Sequence, residues 1–114
     1  MATGPARDTD SSAPTARTVR EIDRFDRLVA ESDRVLVDFY ADWCGPCRLM
    51  ESTVDELADE SGADVVKVDV EAHPQLSARY DVKKIPTFLA FENGSVVERF
   101  VGMQNKETLL EAIE

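Results

Sequence analysis

Residues 35–40 form a near-continuous apolar run in which Asp38 is the one charged residue. Short runs of this kind are typical of a central strand that is covered on both faces of its sheet. A strand buried in this way needs helices on both sides, and helical stripes of apolar residues flank the run in the sequence. The run therefore indicates an α/β domain built around a central sheet.

Hydrophobic periodicity divides the rest of the chain into alternating strands and helices. The five predicted strands span residues 18–22, 35–40, 65–70, 87–91 and 96–101. The four predicted helices begin near Asp23, Cys44, Pro74 and Asn105, and the second of them is expected to run to about Glu60. Asp23 and Asn105 are the predicted N-caps of the first and last helix. Strands separated by helices pair in parallel, whereas Asn93-Gly94 between the last two strands predicts an antiparallel hairpin. We therefore expect a mixed sheet of about five strands flanked by four helices.

The length of 114 residues suits one domain, and an apolar content of 43% is enough for one hydrophobic core. Residues 1–16 mix small, polar and helix-breaking residues without periodicity, and we expect them to form a disordered N-terminal tail. The predicted domain therefore comprises residues 17–114.

The charge balance is strongly acidic, with 23 Asp and Glu against 13 Lys and Arg and a net charge of −10. Nucleic acid and anionic membranes would repel such a surface, so neither is expected as a partner. Adaptation to high salt and a merely acidic surface both remain open as explanations. No apolar run approaches the ~18 residues of a membrane span, and the first residues lack the apolar core of a secretory signal. We expect a cytoplasmic monomer.

Cys44 and Cys47 are the two cysteines of the chain, and they lie at the start of a predicted helix. Residues three apart are neighbours on a helix surface, so a disulfide can form with small shifts. A helix N-terminus stabilises the reactive thiolate, and Gly45 and Pro46 fit a first helical turn. The helical phase places Cys47 on the apolar stripe with Met50 and Cys44 near its edge. It predicts that Cys44 is the exposed nucleophile and Cys47 the shielded thiol that resolves a mixed disulfide.

Three other interpretations of this pair are weaker. A structural zinc site needs four ligands, and beyond the two thiols the chain offers only His73. A structural disulfide would close too small a loop to stabilise much. Two inert cysteines would not need Trp43 and Pro46 beside them. We therefore expect redox chemistry without a metal or a cofactor.

Residues 37–47, which read VDFYADWCGPC, resemble the active-site strand and turn of the thioredoxin family. Ile85-Pro86-Thr87 strengthens the likeness, and the element order agrees over residues 18–114. The resemblance implies the thioredoxin fold and a protein disulfide reductase, and Gly-Pro between the cysteines is more similar to reducing thioredoxins than to isomerases or glutaredoxins. The implied partners are disulfide-containing proteins and an upstream reductase similar to thioredoxin reductase.

The resemblance also implies roles for residues outside the cysteine pair. Asp38, whose pKa burial should raise, is similar to the buried acid that accepts a proton from the second cysteine. Lys67 matches a lysine that modulates this acid, although a solvent-facing lysine stays open as the alternative. Pro86 matches a cis-proline that faces the cysteines, which leaves the backbone of Ile85 to pair with a substrate segment. The other residues of the implied groove are Trp43, Gly45, Pro46 and Gly102.

Three residues depart from the family pattern. Ser52 stands where a proline often kinks the long helix, so a straighter helix is expected. Tyr40 replaces a common tryptophan, and Lys84 stands where a small residue often precedes Ile-Pro. His73 is interpreted as a helix-start residue without a catalytic part, and the acidic run that begins at Glu51 as a solvated helix face.

Two other functions are considered beside disulfide reduction. A non-catalytic binding module would keep the fold while its thiols stay idle. An oxidase or isomerase would work in an oxidising compartment, and the missing signal peptide argues against it.

Overall fold

A computed structural model describes residues 16–114, so that, apart from Ala16, the predicted tail lies outside the described residues. The strands are β1 (Arg17–Thr18), β2 (Arg34–Tyr40), β3 (Asp64–Asp69), β4 (Thr87–Glu92) and β5 (Ser95–Val101). The helices are α1 (Ile22–Glu31), α2 (Gly45–Leu49), α3 (Glu51–Glu60), α4 (Pro74–Arg79) and α5 (Lys106–Ile113). Across residues 16–114, no helix has the length and apolar character needed to cross a membrane.

The strands form one mixed sheet in the order β1-β3-β2-β4-β5. β3 pairs in parallel with β1 and β2, because a helix separates these strands along the chain. β4 pairs antiparallel with both β2 and β5. The predicted five-stranded mixed sheet is thus confirmed, with the apolar run of β2 in the middle.

The two faces of the sheet bury two separate clusters of apolar side chains. Val35, Val37 and Phe39 of β2 pack with α1 and α4 on one face. Leu36 packs on the other face with residues of α3 and α5. Because side chains alternate along a strand, Asp38 lies on the same face as Leu36. The buried carboxyl group is therefore directed to the side of the sheet that α3 covers.

The helix predicted to run from the cysteines to about Glu60 is interrupted at Met50. The Met50 N–H donates to the carbonyl of Cys47 at 3.1 Å, which closes a tight turn at the end of α2, and α3 begins directly afterwards. The predicted second helix is thus divided into two, so that five helices, instead of the four expected, flank the sheet within residues 16–114. The straighter helix expected from Ser52 is therefore not found, because the break occurs at Met50 without a proline, and Ser52 lies beyond it, inside α3.

The N-cap predicted for α5 is found in the structure, and the one predicted for α1 is not. Glu21 is the N-cap of α1, so the prediction of Asp23 at this position was wrong. Asp23 lies in the first turn instead, where the helix dipole favours an acidic side chain. Asn105 caps α5 as predicted, since its side chain accepts a hydrogen bond from the Thr108 N–H at 3.0 Å.

Candidate redox site

Cys44 and Cys47 lie just beyond the carboxyl end of β2 and are joined by a disulfide, with their Cα atoms 5.3 Å apart. Cys44 is the N-cap of α2 and has an extended backbone, whereas Cys47 lies within the helix. Gly45 and Pro46 are the first residues of α2, where the missing N–H of proline costs no hydrogen bond. The redox pair therefore lies at the helix start that the sequence predicted.

Both cysteines are buried in the disulfide form, with 4% of each residue exposed. They pack against Ala41, and Tyr40, Val70 and Ile85 cover them further. The prediction that Cys44 is the exposed one of the pair was therefore wrong for this state. It assumed that Cys44 follows the helical phase, but an N-cap residue lies outside the helix and its side chain takes another direction.

The two sulfur atoms nevertheless differ in their surroundings. The backbone N–H of Cys47 donates a hydrogen bond to the Sγ atom of Cys44 at 3.1 Å. This N–H belongs to the first turn of α2, where N–H groups have no partner within the helix. A free N–H and the positive end of the helix dipole both favour negative charge on Cys44.

A cavity of about 240 Å³ adjoins the disulfide on the side of Cys47. Asp38 and Lys67 contribute to its walls, and Cys44 does not. The volume is sufficient for several water molecules, and the charged walls would hold them by hydrogen bonds. The cavity thus lies between Cys47 and a buried carboxyl group.

Asp38 is 3% exposed, and among residues 16–114 no side chain donates a hydrogen bond to its Oδ1 atom. Burial raises the pKa of Asp38 to about 7, an effect that the positive charge of Lys67 reduces and the negative charge of Glu51 increases. Desolvation is the main cause, because it disfavours the ionised carboxylate. This carboxyl group can therefore gain or lose a proton near neutral pH.

Lys67 is half-buried and lies opposite Asp38 in the register of β2 and β3. Its Nζ atom is 4.6 Å from the centroid of the Tyr40 ring, in a cation–π contact. The structure thus places Lys67 on the cavity wall rather than facing open solvent. Tyr40, noted above as a departure from the family pattern, holds the ammonium group there.

Ile85, Pro86 and Gly102 lie together beside the disulfide. The Ile85–Pro86 peptide bond is cis, as the resemblance implied, and Ile85 packs against the two cysteines. The Gly102 N–H donates to the carbonyl of Pro86 at 2.8 Å. Gly102 has a φ of +90°, and a Cβ atom there would have no neighbour within 4 Å. The space in front of Gly102 is therefore open, and its backbone conformation favours glycine.

Trp43 is 67% exposed, next to Cys44. Its Nε1–H donates to the Oε2 atom of Glu71 at 2.8 Å, which ties the cysteine-bearing turn to the loop after β3. Glu71 was not singled out in the sequence, because nothing in the local pattern pairs residues 28 positions apart.

Glu51 was assigned in the sequence to a solvated acidic helix face. It is exposed, but as the first residue of α3 it also lines the cavity. Its spacing of four residues from Cys47 could have indicated this position, since such residues share a helix face. His73 is the N-cap of α4, as predicted, and its Nε2 atom lies 3.1 Å from the carbonyl of Val19. Lys84 is exposed beside Ile85.

The fold and the disulfide at a helix start define a thiol–disulfide oxidoreductase. The sequence model of the family described as thioredoxin matches residues 16–114. A thioredoxin from Staphylococcus aureus is 45% identical over 92 residues, which cover 79% of this chain and 88% of that relative.

Two solved structures are similar over most of this chain. A mutant thioredoxin from Halobacterium salinarum has a TM-score of 0.84 and 38% identity and covers 89% of both chains. Oxidised mitochondrial thioredoxin 3 from Saccharomyces cerevisiae has a TM-score of 0.78 and 28% identity, with 86% of this chain and 92% of that chain covered. The chain belongs to the thioredoxin family and is an oxidoreductase that reduces protein disulfides. Members of this family act on disulfide-containing substrates and are themselves reduced by thioredoxin reductase.

Proposed function

We propose that this protein is a reducing thioredoxin of the Trp-Cys-Gly-Pro-Cys type, in which Cys44 attacks and Cys47 resolves. The thiolate of Cys44 attacks one sulfur of a substrate disulfide, and the other substrate sulfur leaves as a thiolate that takes up a proton. Cys47 then attacks the Sγ atom of Cys44 and displaces the second substrate thiolate. The substrate gains two electrons, and the protein is left with the Cys44–Cys47 disulfide.

The hydrogen bond from the Cys47 N–H to the Sγ atom of Cys44 is the observation that carries this assignment. In the reduced protein the same N–H would stabilise a Cys44 thiolate and lower its pKa. Within residues 16–114 no N–H donates a hydrogen bond to the Cys47 sulfur, and Cys47 lines the cavity instead. The different roles proposed for Cys44 and Cys47 therefore depend on their positions at the helix start and not on their exposure.

Asp38 is proposed to accept the proton of Cys47 before resolution, with Lys67 modulating its charge. The pKa of about 7 supports this role, because a base is most effective when its pKa lies near the working pH. The shared cavity supports it geometrically, since one water molecule between carboxylate and thiol is enough to pass a proton.

The substrate segment is proposed to bind in extended form beside the cis-proline. The backbone of Ile85 would pair with it, as an added strand does. The open space at Gly102 and the exposed indole of Trp43 are available for the same segment. The other groove residues in this proposal are Gly45, Pro46 and Pro86.

We further propose that residues 17–114 form the functional domain of a monomeric electron carrier in the cytoplasm, which a thioredoxin reductase keeps reduced. The proposed site residues all lie between Asp38 and Gly102. The excess of acidic residues, with a net charge of −10, supports the additional proposal that the protein comes from a salt-loving organism.

Trapping of mixed disulfides tests the order of attack. A Cys47→Ser variant should accumulate covalent complexes with substrate proteins, because the resolving thiol is missing. The matched Cys44→Ser variant should accumulate few, and non-reducing gels of cell extract display both results. Complexes formed mainly by Cys44→Ser would reverse the assignment.

A further inference from the structure

The cavity beside Cys47 has walls from four elements, and their charged side chains differ in sign. Asp38 comes from β2, Lys67 from β3, Arg48 from α2 and Glu51 from α3, while Asp42 lies in the turn after β2. Tyr40 also faces the cavity, and burial followed by the charge of Asp69 raises its pKa, which keeps the ring neutral. Within this set Asp38 alone is fully buried.

We propose that Glu51, at the rim of this cavity, is a positioning residue that acts through Asp38 and sets the pH at which Asp38 takes the proton of Cys47. This inference rests on the proposed role of Asp38 as proton acceptor. Glu51 need not touch the thiol or the substrate, because its charge acts across the cavity. An ionised Glu51 opposes a second negative charge nearby and so favours the protonated form of Asp38.

Two observations on Asp38 support a through-space effect. Its Oδ1 atom accepts no hydrogen bond from any side chain of residues 16–114, so neighbouring charges influence it without a direct contact to that atom. Lys67 and Glu51 are the charged neighbours that shift its pKa, and they act in opposite directions. Lys67 also contacts the Tyr40 ring, so its positive charge is divided between that cation–π contact and the stabilisation of the Asp38 carboxylate.

The direction of the effect on turnover follows from the need for an ionised base. Resolution by Cys47 should become faster as the pH rises through the pKa of Asp38. Removal of the Glu51 charge lowers that pKa by about 0.4 of a pH unit if the charge acts at roughly 8 Å through a water-like medium. At about pH 6, where Asp38 is mostly protonated, the ionised fraction then rises roughly two- to threefold.

The test compares Glu51→Gln with three other variants. The rate of single-turnover reduction of a disulfide peptide is measured between about pH 5.5 and about pH 9. Glu51→Gln should move the part of this pH–rate profile in which the rate rises, its rising limb, to lower pH. Lys67→Gln should move it to higher pH, because it removes a charge of the opposite sign. Glu51→Asp keeps the charge and should restore the original profile. The matched control is Asp59→Asn, which removes the same charge from an exposed position on α3 outside the cavity wall and should leave the limb unchanged.

The carboxyl carbon resonance of Asp38 gives a second readout that does not depend on activity. Its NMR titration midpoint should fall in Glu51→Gln, and the difference should shrink in molar salt because Glu51 is exposed. An unchanged midpoint together with an unchanged limb would overturn the role of Glu51. If Asp38→Asn keeps the rising limb, the proposed role of Asp38 fails instead, and the titration still decides whether Glu51 and Asp38 are coupled.

Discussion

The two sides of the disulfide differ in chemistry. The proposed substrate side, formed by Trp43, Ile85, Pro86 and Gly102, presents apolar surface, backbone groups and open space. The cavity side, formed by Asp38, Glu51 and Lys67, presents charges around a partly open cavity. Cys44 accepts a hydrogen bond at the helix start, and Cys47 adjoins the cavity.

This difference indicates how one small site can combine two requirements. The proposed backbone pairing and apolar contact depend little on the side-chain sequence of the substrate, and so suit the binding of more than one disulfide-containing protein. Proton transfer instead requires a group with a perturbed pKa, and burial beside a few charges supplies it. Changes on the cavity side should therefore alter the pH dependence, and changes on the substrate side should alter binding.

The largest effect is expected for Asp38→Asn, which keeps the shape of the side chain but removes the proposed base. Contributions of general bases are typically about 10²–10⁴-fold, and water in the cavity can partly substitute, so resolution should slow by about 100-fold. The first attack by Cys44 should change less, because Cys44 does not line the cavity. Stopped-flow reduction of a disulfide substrate separates the two steps.

The same substitution should stabilise the protein at high pH. The pKa of Asp38 is raised from 3.8 to about 7, so the folded state binds the proton more tightly than the unfolded state. Stability of the unsubstituted protein therefore falls as the pH rises through this window, and the penalty is fully present above it. Asn removes a penalty on the order of 4 kcal/mol above about pH 7 and none below about pH 4, less the cost of its own buried amide. Unchanged turnover together with lower stability in thermal melts would make Asp38 a structural residue.

The sheet could be predicted from the sequence because each strand and turn is specified by residues that are neighbours in the chain. The apolar run of β2 and the Asn93-Gly94 turn each specify one element through their own residues, and helices between strands dictate parallel pairing. The interruption at Met50 could not be predicted in this way. It depends on one hydrogen bond to Cys47 at the end of α2, and no proline or glycine marks it.

The candidate site was only partly predictable for the same reason. The Cys44–Cys47 pair and the cis bond at Pro86 follow from motifs that resemble the family. Glu71 enters the site through a contact between residues 28 positions apart, which local patterns do not record. Glu51 lines the cavity four residues after Cys47, a local spacing that could have been used. The prediction that Cys44 is exposed was wrong, because the helical phase was applied to a residue that lies just outside the helix.

A smaller effect is expected on the substrate side for Gly102→Ala. The φ of +90° strains any residue with a Cβ atom, and the new methyl group would occupy the open space beside Pro86. We expect kcat/KM for a protein substrate to fall by about tenfold, mainly through KM, and stability to fall by about 1 kcal/mol. The pH at which turnover rises should not move, because Gly102 does not adjoin the cavity. A shifted pH profile would contradict the separation of the two sides.

The smallest effect is expected when the salt concentration is changed. This experiment distinguishes the contribution of exposed charges from that of the buried Asp38 carboxyl group. With a net charge of −10, repulsion between surface carboxylates should destabilise the fold at low ionic strength. The screening length falls from ~10 Å at 0.1 M to ~3 Å at 1 M, so added sodium chloride should raise the unfolding free energy by about 1 kcal/mol and Tm by several degrees. Salt should move the titration midpoint of Asp38 only slightly, because the main cause of its raised pKa is desolvation, which salt does not screen.

A variant with less surface charge provides the control for this salt effect. Asp59→Asn combined with Glu111→Gln removes two exposed carboxylates outside the cavity wall. Its Tm should respond less to salt if repulsion is the cause, whereas a general salting-out effect would leave the response unchanged. A flat Tm in the unsubstituted protein would remove the support for salt adaptation. A salt-induced shift of the Asp38 midpoint much larger than the effect of Glu51→Gln would mean that exposed charges, and not burial, govern the cavity side.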